Sequence, residues 1–199
     1  MQTRTDDLMV MPTFWKALFS VRTRASEMAV VFAMSLAIAL CAQLSIPLPY
    51  TPVPLTGTTL GVLYAGALLG PRLGAAAVAL YLLEGGLGLP FFAAGAAGFF
   101  HFAGPTGGYL IGFLPAAWVT GLLARRGWGY SSGTAFLMML IGSAVIFVFG
   151  LAGLLRFVPA SKLLAVGLFT FIIGDIAKSC VSAALLPCGW KWLSRASER

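Results

Sequence analysis

A run of apolar and small residues from Phe171 to Leu193 is broken only by Asp175, Lys178 and Lys191, and it constrains the chain more than any other feature. Its length suits one crossing of a bilayer, whose hydrocarbon core takes about 20 residues of helix. No water is present there to satisfy backbone N–H and C=O groups, so the run must close its own hydrogen bonds as helix. Asp175 and Lys178 then sit where water is scarce, and residues three apart share a helix face. A charge at the bilayer centre costs from about 2.5 to 17 kcal/mol across estimates, so an intramembrane charge marks a functional site by default. An internal ion pair that only fixes helix packing is the plainer alternative.

Composition extends this to the whole chain. With 199 residues, 59% of them hydrophobic, 10% charged and a mean hydropathy of +0.93, the sequence reads as an integral membrane protein in one domain. The expected boundaries are a cytoplasmic tail over 1–25, a six-helix membrane domain over 26–193 and a short cytoplasmic tail over 194–199. The formal charge of +7 could suggest nucleic acid. The basic residues, however, cluster at the ends of apolar runs, the pattern of orientation signals, and no nucleic-acid partner is expected. Cys41, Cys180 and Cys188 lie within apolar spans without metal-ligand spacing, and no metal site is predicted.

The first apolar run, Met28 to Ile46, is too long for a signal-peptide core and reads as a retained span. Ala25, Ala29, Ala33 and Ala37 recur every four residues and line one face with methyl groups, which suits close approach by another helix of this chain or of a partner. Pro47, Pro49, Pro52 and Pro54 force an extended segment. Two short runs follow, Thr56 to Leu69 and Leu73 to Leu83, separated by Gly70-Pro71-Arg72; interrupted spans of this kind are where membrane proteins place substrate sites. From Gly85 to Gly108 the chain is too apolar for a solvated loop and too broken for a span, so a re-entrant or capping loop over a pocket is expected. Spans over Gly107 to Leu123 and Thr134 to Leu155 come next. A short amphipathic connection, Ser161 to Thr170, leads into a last span beginning near Phe171.

Six spans and the positive-inside rule place both termini in the cytoplasm. Arg4, Lys16, Arg22, Arg24, Arg72, Arg125, Arg126, Lys191, Arg195 and Arg199 then fall inside, against Arg156 and Lys162 outside. The last span runs inward, putting Asp175 within about two turns of its outer end. The expected location is a prokaryotic inner (plasma) membrane, with the site open to the exterior.

Pro52-Val53-Pro54-Leu55-Thr56, Gly88-Leu89-Pro90, Gly104-Pro105-Thr106-Gly107-Gly108-Tyr109-Leu110-Ile111-Gly112-Phe113 and Gly174-Asp175-Ile176-Ala177-Lys178 resemble the signatures of the BioY family, the biotin-specific substrate-binding (S) components of energy-coupling factor (ECF) transporters. The resemblance runs from about Arg24 to Leu193. It implies a six-helix subunit that captures biotin from outside and docks onto a membrane coupling protein driven by two ATP-binding cassette ATPases. ATP would be hydrolysed by those partners, with no cofactor in this chain. Small-residue faces on the first helix are a docking feature of such components, which points the Ala25–Ala37 face towards a partner. Members often carry a glutamine two positions after the threonine of the Pro-Val-Pro motif, where this chain has Thr58. Many carry a polar side chain shortly after Gly-x-Pro, where this chain reads Phe91-Phe92-Ala93-Ala94.

Biotin offers two ureido N–H donors, a carbonyl, a thioether ring and an acidic tail. Asp175 can accept from the N–H groups and Lys178 can donate to oxygen, each a charge-assisted bond. Thr58, Phe92 and Tyr109 complete the expected contacts, with lipid-interface anchoring the alternative for Tyr109. Glu84 could pair with Lys178, stay protonated, or join the ligand site. His101 reads as a hydrogen-bonded loop residue. Two rival readings are a self-sufficient biotin carrier acting as an oligomer, and an intramembrane enzyme built on Ser143, His101, Glu84 and Asp175. Ser143 lacks the second glycine of a nucleophile elbow, so no catalytic residue is expected.

Overall fold

The computed structural model describes residues 23–197, and it is helical wherever the sequence is both apolar and unbroken. Helix α1 spans Arg24–Gln43, opened by a reciprocal cap in which Thr23 and Ser26 each accept from the other's backbone N–H at 3.2 Å. The proline-rich segment leaves it as an antiparallel pair, β1 Ser45–Ile46 and β2 Leu55–Thr56, with Ser45 opposite Thr56. Helix α2 spans Thr58–Gly86. Residues 87–106 follow, containing a 3-10 turn at Ala93–Gly95 and the short α3, Phe100–Ala103. Then come α4 Gly107–Arg125, α5 Ser132–Leu154, α6 Ala160–Leu164, a π turn Ala165–Phe169, and α7 Thr170–Ser197.

Among the described residues, five helices are long and apolar enough to cross a membrane, counting 160–189 as one. The second of them is not straight. Gly70 adopts φ +81° before Pro71, a backbone state open to glycine and closed to helix. A Cβ on Gly74 would meet the Ala65 carbonyl oxygen at 2.6 Å, although residues nine apart in a straight helix stand about 13 Å apart. The chain therefore folds back at Gly70, and α2 supplies two antiparallel segments, 58–69 and 71–86, where the sequence predicts two short runs.

Small residues set the helix crossings. Gly66 lies against the Ala117 backbone and Gly121 against the Gly70–Pro71 turn, seating α4 on α2; Gly108, Gly112 and Gly150 do the same between α4 and α5. With no water to expel between helices, such close van der Waals approach is what holds them. The contacts also sort the ends of the bundle. Gly121 brings the end of α4, and with it Arg125 and Arg126, beside the turn that bears Arg72. Gly153 meets Gly108, which returns the end of α5 and Arg156 to the opposite end, where residues 87–106 lie.

Two expectations need correction. Ser161 to Thr170 is not a connection preceding the last helix. No proline lies between Pro159 and Phe171, and helical backbone continues from Ala160 through the π turn into α7. Asp175 consequently sits about four turns along that helix rather than two. The first helix begins at Arg24 and ends at Gln43, earlier than Ile46, because Ser45 and Ile46 pair with β2. Arg4, Lys16, Arg22 and Arg199 lie outside the described residues.

Candidate functional site

A cavity of about 370 Å³ opens between the Pro-rich hairpin, residues 92–106, α2, α4, α5 and α7. That volume lies within the range of small-molecule sites. Its walls are apolar and aromatic, from Val53, Tyr81, Phe92, Phe113, Phe147 and Phe171, with Asp175 and Lys178 as a polar patch.

Asp175 is only 6% exposed, and Lys178 lies one turn further along α7 with Nζ 3.3 Å from Oδ1. The ammonium also donates to the Thr56 carbonyl at 2.7 Å and to Thr59 Oγ1 at 2.8 Å. Asp175 Oδ2 is buried without a partner. A buried acceptor left unmade costs roughly 1–3 kcal/mol, more when charged, so this oxygen is poised to take a donor. The hairpin is what makes the arrangement possible. Gly57 must lack a side chain, since a Cβ there would lie 2.6 Å from the Cys41 carbonyl oxygen. The Gly57 N–H donates to Leu44 at 2.9 Å and holds Thr56 at the mouth of α2, where its carbonyl meets Lys178. Gly174 leaves room for Leu55 against α7.

Phe92 is buried, its ring seated on Gly85 and edge-on to Tyr81, His101 and Phe102 at 5.8, 5.8 and 5.9 Å. Gln43 fastens this segment to α1 by donating to the carbonyls of Pro90 at 3.2 Å and Phe92 at 3.4 Å. Tyr109 is buried on Gly150 and donates its hydroxyl to the Gly167 carbonyl of the π turn at 2.7 Å, which rules out a lipid-interface anchor. Thr58 is buried on the wall beside the Tyr81 hydroxyl.

Glu84 stands outside the cavity lining. Lys178 pairs with Asp175 instead, because the two share a helix face while Glu84 lies a turn beyond Tyr81 on α2. The Glu84 Oε2 atom is buried without a partner. His101 is on the cavity wall, and no hydrogen bond to its ring is made among the described residues, unlike the loop role read from the sequence. Ser143 lines a small void below Asp175 with Ser179 and Ser182, apart from His101, so hydroxyl and imidazole do not form a nucleophile–base pair. No cluster among the described residues could hold a metal ion. Ala25, Ala29, Ala33 and Ala37 are all exposed on α1, whose buried stripe is Ser35, Ile38, Ala39 and Ala42.

The sequence profile of the BioY family matches residues 11–195. This chain belongs to the BioY family. It is a multi-pass membrane protein of a family of transporters. A probable biotin transporter BioY from Pyrococcus horikoshii is 36% identical over 162 residues, covering 81% of this chain and 94% of the relative. The biotin transporter BioY of Rhodobacter capsulatus is 39% identical over 150 residues, covering 69% and 78%. The fold also matches a crystal structure of the S-component for biotin from an ECF-type ABC transporter. That match has a TM-score of 0.74 and 26% identity, and covers 86% of this chain and 95% of the other.

Sequence reasoning missed Thr59, Tyr81, Phe113 and Phe147 of the BioY cavity. Of these, Tyr81 carried a usable signal, being a phenol within an apolar run and therefore in need of a partner. Phe113 closes the Gly104–Phe113 motif but was not singled out, and Phe147 carried no signal, because a phenylalanine facing a cavity and one facing lipid look alike in sequence.

Proposed function

We propose that this chain captures biotin at the outer face of a prokaryotic plasma membrane and acts as the substrate-specificity subunit of an ECF-type transporter. One observation carries the reading: Asp175, buried, paired with Lys178 and with its Oδ2 lacking a partner, lines a cavity that is otherwise aromatic and apolar. The ureido group brings N–H donors to that carboxylate. Phe92, Tyr109, Phe113 and Phe147 offer apolar surface to the thioether ring and aliphatic tail. Thr58 acts through Tyr81, and Glu84 does not touch the ligand.

The six long helical segments cross the membrane with both termini inside. Arg72, Arg125 and Arg126 at one end of the bundle, with the cavity towards the other, support that orientation. The exposed alanine face of α1 docks onto a membrane coupling protein, and the ATP-binding cassette ATPases bound to that protein hydrolyse ATP; this chain needs no cofactor of its own.

Equilibrium binding of biotin to the detergent-purified protein, beside Asp175→Asn, tests the reading. Tight binding by the parent and a loss of at least about tenfold in the variant, about 1.4 kcal/mol, are expected. A folded parent that does not bind biotin refutes it. Biotin accumulation in sealed vesicles holding this chain alone would replace the subunit by a self-sufficient carrier.

A further inference from the structure

An ammonium has three N–H donors. All three of Lys178 are engaged, by the Thr56 carbonyl, Thr59 Oγ1 and Asp175 Oδ1, and the Asp175 carboxylate neutralises its charge. The oxygen left free at that patch, Asp175 Oδ2, is an acceptor. A ligand carboxylate brought there would meet like charge and find no donor. The acidic tail therefore lies away from that pair.

The titratable groups lining the cavity among the described residues are Asp175, Lys178, Tyr81, Tyr109 and His101. Tyr109 donates to Gly167, and Tyr81 stands beside Thr58. Glu84, at the neighbouring end of α2, lies outside the lining. His101 remains. It is carried by α3, on a different wall from the pair on α7, and its ring packs edge-on to Phe92 with no group among the described residues hydrogen-bonded to it.

We infer that His101 receives the carboxylate tail of the ligand, so that the neutral head lies at Asp175 and the anionic end at the segment joining α2 to α4. The inference rests on the biotin reading above and fixes the direction in which the ligand lies. The imidazole N–H is the donor that the carboxylate meets at that wall.

The test compares biotin with its methyl ester, which keeps the head and removes the tail charge. The parent is expected to prefer biotin by about tenfold. In His101→Ala the preference disappears while ester binding stays within about twofold of the parent, which also shows that the site is folded. His101→Lys, which supplies a donor on the same wall, keeps the preference. Equal weakening of biotin and ester by His101→Ala, or a preference that survives it, overturns the assignment to His101 and leaves the biotin reading standing. Failure of the folded parent to bind either compound removes the biotin reading and this inference with it.

Discussion

Three acceptors converge on Lys178 Nζ inside the bundle, the Thr56 carbonyl, Thr59 Oγ1 and Asp175 Oδ1, and the last of them makes an ion pair. Removing one partner of such a buried pair strands the other charge, at a cost of roughly 3–5 kcal/mol, whereas replacing both by neutral groups can be nearly free. Lys178→Met is therefore expected to lower the thermal midpoint in detergent more than the double variant Asp175→Asn, Lys178→Met. A single variant as stable as the double would mean that the two charges do not depend on each other. The pair was legible in the sequence, since two opposite charges one helical turn apart in an apolar run offset their burial by meeting each other. The hydroxyl that completes it was not. Thr58 and Thr59 are adjacent and about 100° apart around the helix, and nothing in the residue names says which one meets the ammonium.

The helices were legible as apolar runs and the break at Gly70-Pro71-Arg72 as their interruption, but the course of the chain through its turns was not. Gly70-Pro71-Arg72 marks the break in α2, but residue types do not say that the chain folds back there, and Ala165–Phe169 carries no mark that its helical turn is wider than the rest. Glycines differ sharply in what they tolerate. A Cβ on Gly74 meets the backbone of Ala65 and Gly66 at 2.6 and 2.8 Å, and backbone cannot swing aside. Gly74→Val is expected to destabilise by about 1–3 kcal/mol or more, read as a loss of midpoint. Gly133, in the first turn of α5 with open space around it, is the counter-case. Gly133→Ala is expected to raise the midpoint, by roughly 0.4–1 kcal/mol in stability, because alanine loses less backbone freedom on folding. The reverse order of these two would contradict the helix contacts described above. Tyr109→Phe probes the π turn: the ring contacts with Phe147 and Phe171 stay, while the Gly167 carbonyl loses its donor. A loss of about 1 kcal/mol is expected, with the midpoint as readout. An unchanged midpoint would remove the hydrogen bond as a brace of the last helix.

At the scale of the molecule, one end of the bundle carries the cavity and one side of α1 is left uncovered. Ala25, Ala29, Ala33 and Ala37 are exposed although α1 packs on α2 through its opposite stripe, so a small flat face is presented where lipid alone would accept larger side chains. Lipid tails are as apolar as leucine and give no reason for alanine every fourth residue, whereas a partner helix does, because small residues let two backbones approach. Ala33→Trp adds bulk to this face without entering the core or the cavity. If the face docks on a coupling protein, the variant should bind biotin as the parent does. It should also fail to co-purify with the ECF module and take up several-fold less biotin in cells that express it. Loss of biotin binding would instead make the face part of the fold of this chain. Intact binding with intact co-purification and uptake would leave the alanine spacing without a partner.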